Sequence, residues 1–189
     1  RLHELFFNLI GVTPKEWKEK GKDVQITYGF GETPFGEALI GFTDKGICYL
    51  GFIDDNKTEI FNRFNELWDN ANLIHNEIAA NEYLENIFVK NKKYNLFVKG
   101  TNLQVNVWKA LLNLPNGIVA TYQDIANYLD KPKAVRAIAS AIGRNHVGYL
   151  IPCHRVITKS GAMSGYRWGI ERKKILIAYE SVKENNQNQ

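Results

Sequence analysis

The first half of the chain alternates apolar runs with turn residues. Apolar and aromatic runs are separated by Gly, Pro and Asp turns, which predicts a small antiparallel sheet. These runs lie at residues 25–30, 38–42 and 47–52. Two stretches with helical spacing follow, and a last strand ends this half. Their apolar positions are Ile60, Phe64 and Leu67, then Ile74 and Ile78, with the strand near residues 95–98.

The second half is patterned for helices with marked starting points. Thr101 and Gln104 match a capping box, and Thr121 with Asp124 predicts the start of a second helix. A further helix is predicted near Lys133, with apolar positions at Val135, Ile138, Ala139 and Ile142. Two helices joined by a tight turn are typical of a helix-turn-helix module. Such helix pairs also occur in proteins that never bind DNA.

Charge divides the chain into unlike halves. Residues 1–98 hold 11 Lys and Arg against 15 Asp and Glu, whereas residues 99–189 hold 13 against 5, within a net charge of +4. The halves therefore carry about −4 and +8. A basic half favours a polyanionic partner, because each cation that neutralises a phosphate releases counterions. A solvated basic face explains the same charge equally well.

Composition argues for a compact protein without a membrane span or a metal. The sequence has no run of eighteen apolar residues and no signal-peptide layout after Arg1, so we expect a cytoplasmic protein. Its two cysteines, Cys48 and Cys153, are 105 positions apart, and we expect both to be free thiols. Cys48, His3 and His75 are too few for a zinc site at plausible spacing. We therefore predict no metal and no cofactor.

The pair Cys153–His154 is the strongest candidate for chemistry. A thiol becomes a good nucleophile as a thiolate, and histidine is the side chain best suited to take its proton near neutral pH. Adjacent side chains in a strand point to opposite faces, so the two must sit in a turn to meet. Pro152 favours such a turn. An inert, buried cysteine remains the alternative when these residues are read alone.

The wider sequence around Cys153 resembles the O6-alkylguanine-DNA alkyltransferases of the Ada and Ogt type. The matching segments include residues 104–108, 121–126, 131–137, 152–156 and 164–169. Residues 28–36 also resemble the N-terminal domain of this family. The resemblance implies an α+β protein, with a ribonuclease-H-like N-terminal domain and a mostly helical, winged helix-turn-helix C-terminal domain.

We predict four segments along the chain. Residues 1–20 begin as a helix with Leu2, Leu5, Phe6 and Leu9 on one face, ended by Gly11. Residues 9–17 resemble the closing helix of AraC-type regulators, so residues 1–20 are interpreted as a remnant of a helix-turn-helix domain. The segments are 1–20, the N-terminal alkyltransferase domain 21–98, the DNA-binding and active-site domain 99–183, and a disordered tail 184–189.

The resemblance implies a proton relay that ends at Cys153. A glutamate 27 residues after the cysteine orients the histidine, and that position is Glu180. An asparagine eight residues before the cysteine braces the active-site turn, and that position is Asn145. Glu180 then holds His154, and His154 takes the proton of Cys153 through a water. Without this match, Glu180 is a solvated helix residue and Asn145 a turn former.

The resemblance also implies residues that bind DNA and the damaged base. Arg136 fills the space left by a flipped nucleotide, and Tyr122 supports its rotation and donates a proton to the leaving guanine. An ordinary phosphate contact is the alternative for Arg136. The small residues Ala137 and Ser140, with Lys133, allow close approach to a minor groove. The residues implied for the alkylguanine pocket are Tyr166, Val156, Trp168 and Arg167.

The predicted function is direct reversal of DNA damage. The alkyl group of O6-alkylguanine, or of O4-methylthymine, moves to Cys153 in one irreversible turnover, in a monomer bound to double-stranded DNA. Some members of the family have glycine where this chain has Trp168, so we expect methyl adducts to be preferred over benzyl. The alternatives are a lesion sensor, a Cys-His hydrolase and, for a longer parent protein, an additional role as a transcriptional regulator.

Overall fold

The computed structural model describes residues 9–11, 24–163 and 165–187 of the 189-residue chain. Its described part divides between Gly100 and Thr101 into two compact units. Both units contain helices and strands, in agreement with the predicted α+β class. The strands are β1 Leu9–Gly11, β2 Gln25–Gly31, β3 Ala38–Phe42, β4 Ile47–Phe52, β5 Asn72–His75, β6 Leu96–Val98, β7 Ala120–Thr121 and β8 Val156–Ile157. The helices are α1 Lys57–Leu67, α2 Glu77–Phe88, α3 Asn102–Leu112, α4 Tyr122–Tyr128, α5 Val135–Gly143 and α6 Ile170–Gln187.

The first unit is built on a mixed sheet. Among the described residues its strands run in the order β1-β6-β4-β3-β2-β5. The neighbours β2, β3 and β4 are antiparallel, whereas β1 with β6, β4 with β6 and β2 with β5 are parallel. Every residue of β3 and β4 is buried. Their continuous apolar sequence fits strands that are covered on both faces.

Helix α2 lies directly against strand β2. A Cβ atom on Gly29 would lie 2.7 Å from the Cβ of Ala80, which is closer than two carbon atoms can approach. Glycine at this strand position therefore allows the helix to pack closely. The helix begins at Asn76, whose side chain accepts a hydrogen bond from the amide of Ala79.

The predicted strands β2, β3 and β4 pair antiparallel as expected, and the parallel strands around them make the whole sheet mixed. Two other predictions about this unit are wrong. Leu9–Gly11 forms a strand paired with Leu96–Val98 instead of ending a helix, while the rest of residues 1–20, including His3, lies outside the described residues. Ile74 lies in β5, and Ile78, which is 86% exposed, lies in the first turn of α2. At Leu9 and at Ile74 the helical spacing of apolar residues predicted a helix where a strand forms, because short apolar runs do not distinguish strand from helix.

Capping boxes begin two helices of the second unit, as the sequence predicts. Thr101 accepts a hydrogen bond from the amide of Gln104, whose side chain accepts one from the amide of Thr101. At α4, the amide of Thr121 donates to the Asp124 carboxylate at 2.8 Å, and the amide of Asp124 donates back to the Thr121 hydroxyl at 3.1 Å. Each box satisfies backbone donors that a helix leaves unpaired at its start.

Helix α5 is anchored on α3 by its apolar stripe and by one indole. Ile138 and Ile142 are buried, in agreement with the predicted stripe. The Trp108 indole of α3 donates a hydrogen bond of 3.0 Å to the carbonyl oxygen of Ala141. The turn between α4 and α5 contains Asp130 at φ 54°, a left-handed conformation that ends the preceding helix.

Helix α6 closes the second unit and is longer than predicted. It continues through Gln187, so the prediction of a disordered tail is wrong for residues 184–187, and residues 188–189 lie outside the described part. Adding a residue to an existing helix gains a hydrogen bond without a new nucleation step, and this favours continuation through polar sequence. Leu176 and Glu180 of this helix are buried.

The described residues contain neither a membrane-spanning helix nor a cluster of metal-ligating side chains. None of the described helices combines the length and apolar composition needed to cross a membrane. Within the same residues, no three His, Cys, Asp or Glu side chains are grouped as a metal ion would require.

We predict that the α4 capping box contributes measurably to stability. Thr121→Ala removes the hydroxyl that accepts from the Asp124 amide, and should lower the free energy of unfolding by about 1 kcal/mol in urea denaturation. Thr58→Ala is the matched control, since Thr58 lies inside α1 and caps no helix. Equal losses for the two variants would contradict a specific role for the box.

Candidate active site

Cys153 and His154 lie in one tight turn, the arrangement that their adjacency requires. Residues Cys153–Arg155 form a short 3-10 helix directly before β8. Pro152 precedes it with φ −80° and ψ 58°, and the Cys153 amide donates to the carbonyl oxygen of Ile151 at 2.7 Å. These values describe an inverse γ-turn centred on Pro152, whose ring fixes φ near this angle. Cys153 is 6% exposed and His154 is fully buried.

Asn145 braces this turn from the end of helix α5. The side chain is 1% exposed, and its Oδ1 accepts a hydrogen bond from the Val147 amide at 2.9 Å. Its Nδ2 donates to the Ile151 carbonyl at 3.0 Å and lies 3.1 Å from Cys153 Sγ. The bond to sulfur strengthens when the sulfur carries a negative charge. Asn145 therefore both shapes the turn and stabilises a thiolate.

The Glu180 carboxylate fixes the orientation of His154. His154 Nε2 lies 2.8 Å from Glu180 Oε1. Although burial raises the pKa of Glu180, hydrogen bonds from His154 and Arg155 outweigh it and hold the pKa at about 2. An ionised carboxylate only accepts hydrogen bonds, so Nε2 carries the proton. Nδ1 is then an acceptor, and it is buried without a hydrogen-bond partner among the described residues.

Arg155 completes this buried network and was missed by the sequence analysis. Its Nε and one Nη donate to the two oxygens of Glu180 at 2.8 and 2.9 Å. Further donors reach the Leu114 carbonyl at 2.6 Å and the Asn116 side chain at 2.5 Å. Arg155 thus ties the loop after α3 to α6 and neutralises Glu180. Its direct succession to Cys153–His154 was the signal available in the sequence.

The same burial keeps Cys153 protonated in the free protein. Burial raises the pKa of Cys153 to about 11, although Asn145, Lys173 and Arg167 act to lower it. Burial also lowers the pKa of His154, while Glu180 opposes that shift. At neutral pH the pair is therefore a thiol beside a neutral imidazole. The thiolate forms only when its proton is transferred.

Lys173 is a second buried cation that the sequence analysis missed. It is fully buried, and its Nζ donates a hydrogen bond of 2.6 Å to the carbonyl oxygen of Val156. It lies on the face of α6 that holds Leu176 and Glu180, three and seven residues later. A lysine on the buried face of a helix was the available signal, because lysine is almost never fully buried.

Aromatic residues line the side of the turn next to His154. The Tyr166 ring meets the His154 ring edge-on, with centroids 6.4 Å apart, and contacts the Trp168 ring at 5.4 Å. Trp168 is 1% exposed. Val156 is buried, whereas Arg167 is exposed and donates to the Gly143 carbonyl at 3.2 Å. Tyr166, Trp168 and Val156 thus lie around the buried turn, and Arg167 links it to the end of α5.

The residues predicted to bind DNA lie on the surface, outside this buried cluster. Arg136, Ala137 and Ser140 share the exposed face of α5. Lys133 is exposed just before this helix, and Tyr122 is half-buried as the first residue of α4. Ala141, the next residue after Ser140, is buried. It faces α3, where its carbonyl accepts the Trp108 indole.

A known domain family matches most of the second unit. Residues 102–182 match the family model described as 6-O-methylguanine DNA methyltransferase, DNA binding domain. The matched range contains Asn145, Cys153, His154 and Glu180.

Two curated relatives and one solved structure extend the similarity to the first unit. The bifunctional transcriptional activator/DNA repair enzyme Ada of Escherichia coli is 32% identical over 181 residues, 93% of this chain and 51% of that protein. This chain therefore spans about half of that relative's length. The inducible methylated-DNA–protein-cysteine methyltransferase of Bacillus subtilis is 37% identical over 147 residues, 75% of this chain and 82% of that protein.

The solved structure has the same mixed α+β fold. Mycobacterium tuberculosis OGT in complex with DNA superposes with a TM-score of 0.67 at 28% identity, covering 83% of this chain and 94% of that one. Together with the match over most of the Bacillus subtilis protein, this similarity settles the family. The chain belongs to the methylated-DNA–protein-cysteine methyltransferases.

Proposed function

We propose that this protein repairs DNA by moving an alkyl group, methyl in particular, from O6 of guanine to Cys153 Sγ. The observation that carries the proposal is the buried set around the thiol. Asn145 Nδ2 lies 3.1 Å from Sγ, and His154 is held by Glu180 with its Nδ1 left as an acceptor. This arrangement supplies a nucleophile, a base and a group that orients the base. O4-methylthymine is a second substrate with the same displaceable alkyl group.

The reaction is a displacement at carbon. The Cys153 proton passes to His154 Nδ1 through a bridging water, and the imidazolium is stabilised by Glu180. Sγ attacks the alkyl carbon as the bond from carbon to O6 breaks, and the electron pair of that bond stays on guanine. The Tyr122 hydroxyl donates a proton to the purine, which makes guanine a better leaving group. The product is a thioether, which does not hydrolyse, so each molecule acts once.

The DNA partner is double-stranded and is bound through its minor groove by a monomer. The exposed face of α5 carries Arg136 together with Ala137 and Ser140, and Lys133 precedes it. Small residues let the helix backbone approach a groove closely, and minor-groove contacts are nearly independent of sequence. Arg136 occupies the space that the flipped nucleotide leaves. The flipped base lies against Tyr166, and the Val156 carbonyl reads its exocyclic amine.

We also propose a ribonuclease-H-like fold for the first unit and a winged helix-turn-helix within the second. The mixed sheet of the first unit with α1 and α2 fits a ribonuclease-H-like domain of residues 21–98. Helices α4 and α5 lie between two paired strands, β7 directly before α4 and β8 after α5, and this set fits a winged helix-turn-helix in residues 99–183.

A regulatory role for a longer protein containing this sequence is a second proposal. Its support is the similarity to two proteins named as regulators: Ada of Escherichia coli, the bifunctional activator and repair enzyme, and the regulatory protein ada of Salmonella typhimurium. Each is 32% identical over 181 residues, which is 51% of its length.

The proposed repair reaction predicts one transfer per molecule. Incubation with an oligonucleotide carrying tritiated O6-methylguanine should label Cys153 in an amount equal to the protein present, with no later turnover. Peptide mapping locates the label, and Cys48→Ala should retain it, because Cys48 is a fully buried thiol outside the site. Cys153→Ala should bind the DNA and take up none. Bound DNA without label in the unaltered protein indicates a lesion sensor, and repeated turnover indicates a hydrolase-like enzyme; either result contradicts the proposal.

The resting thiol predicts a distinctive pH dependence. Since burial raises the pKa of Cys153 to about 11, its reaction with iodomethane in the folded, DNA-free protein should rise about tenfold per pH unit through pH 9. The unfolded protein should reach its plateau near the ordinary thiol pKa of about 8.5. Mass spectrometry of the Cys153 peptide measures both profiles. A plateau of the folded protein at or below that of the unfolded one contradicts this prediction.

Trp168 predicts a preference for small alkyl groups. Its indole is buried against Tyr166 beside the turn, where it narrows the space for the group being transferred. Trp168→Gly should raise the transfer rate from O6-benzylguanine on the order of tenfold or more, while changing the rate from O6-methylguanine far less. Single-turnover assays with the two substrates measure the ratio. Comparable rates on both substrates in the unaltered protein contradict the prediction.

A further inference from the structure

We propose that Lys173 is a positioning residue for the alkyl transfer: its buried ammonium is the counter-charge of Cys153 as the thiol loses its proton. The inference rests on the proposed function, which gives Cys153 the role of nucleophile. Neither the sequence patterns nor the resemblance assigned any role to Lys173.

The position of Lys173 relative to the active-site turn supports this role. Its Nζ is 2.6 Å from the carbonyl oxygen of Val156, and the amide of Val156 donates to the carbonyl oxygen of Cys153. The ammonium is thus held at Val156, the residue that closes the backbone turn containing Cys153. Burying a lysine costs a large desolvation penalty, and an opposite charge nearby offsets part of that cost.

Cys153 and Glu180 are the two groups of this buried network that can become anions near neutral pH. Glu180 is already neutralised by Arg155, which donates to both of its oxygens. With a thiolate at Cys153, the two buried cations are matched by two anions. With a thiol the cluster carries an excess positive charge, which favours loss of the thiol proton.

The effects of Lys173 and Cys153 on each other's pKa agree with this pairing. Burial lowers the pKa of Lys173, and the charge of Cys153 raises it again. Burial raises the pKa of Cys153, and Lys173 is among the groups that lower it. Asn145 reaches the sulfur by a hydrogen bond, so Lys173 and Asn145 act on the same developing charge from different elements, α6 and the end of α5. Fixed charges of this kind act strongly in a site without bulk water.

The test separates the charge of Lys173 from its hydrogen bond and its volume. Lys173→Met removes the charge and keeps the length, Lys173→Gln removes the charge but can still donate to Val156, and Lys173→Arg keeps the charge. Lys174→Met is the matched control, since Lys174 is an exposed neighbour paired with Glu171. The readout is the rate of Cys153 methylation by iodomethane, a probe that needs no DNA, between about pH 7 and about pH 9, below the thiol pKa. Thermal melting verifies that each variant is folded.

We expect both neutral variants to react on the order of tenfold or more slowly at every pH in this range, because removing a nearby opposite charge shifts a pKa by about one unit or more. Lys173→Arg should stay within about threefold of the unaltered protein, and Lys174→Met should equal it. Either neutral variant alone decides the outcome if the other does not fold. Unchanged rates in a folded neutral variant overturn the proposal, as does an equal loss in Lys173→Arg.

Methyl transfer from DNA distinguishes this inference from the proposed function. The neutral variants should transfer methyl more slowly at saturating DNA while their affinity for DNA is unchanged, since Lys173 is buried away from the exposed face of α5. If the unaltered protein transfers no methyl group, the proposed function fails, yet the iodomethane comparison still decides the role of Lys173. Slower iodomethane methylation with unchanged transfer from DNA overturns the role of Lys173 in the reaction.

Discussion

The candidate site depends on one buried carboxylate, that of Glu180. Its two oxygens accept hydrogen bonds from His154 and Arg155, so a single charge fixes the tautomer of the base and anchors the cation beside it. Arg155, which is paired with this carboxylate, also donates a hydrogen bond to the Leu114 carbonyl in the loop after α3. Removing one partner of a buried ion pair leaves the other charge uncompensated, at a cost of about 3–5 kcal/mol. Glu180 therefore stabilises the fold and orients the base, and the two roles cannot vary independently.

Burial also makes it difficult to form the thiolate that the proposed reaction needs. A buried thiol resists ionisation, and the pKa of Cys153 lies near 11, yet the proposed reaction needs a thiolate. Asn145 and Lys173 reduce this penalty without abolishing it. In the proposed single-turnover reaction, the remaining penalty has a benefit. A permanently ionised thiolate would react with any small electrophile, whereas a thiol that ionises only as its proton is taken up reacts when the substrate is in position.

Features with local causes could be predicted from the sequence, and features that depend on distant pairing could not. The strands β2, β3 and β4 follow one another in the chain and carry their own turns, and the boxes at Thr101 and Thr121 lie within four residues. By contrast, β1 is a strand because it pairs with β6, almost ninety residues away. The site shows the same division. Cys153 and His154 are adjacent and were found from their chemistry, and Glu180 and Asn145 from spacing within a known family. Arg155 and Lys173 needed the fold, because adjacency to Cys153–His154 and a position on the apolar face of a helix do not by themselves show that a cation is buried.

The rigidity of this site determines where the energy for base flipping must come from. Cys153 is held by backbone hydrogen bonds of the turn and by Asn145, and it is 6% exposed, so it cannot extend toward a base inside a duplex. In the proposed reaction the base must move instead, which costs a few kcal/mol of lost stacking and pairing. None of that energy can come from the thiol, whose new bond forms only after the base has arrived. In the proposed reaction it comes from contacts on the exposed face of α5, where Arg136 lies. Asn145 follows this helix almost directly in the chain, so the surface proposed to hold the DNA and the turn that holds Cys153 are parts of one short segment.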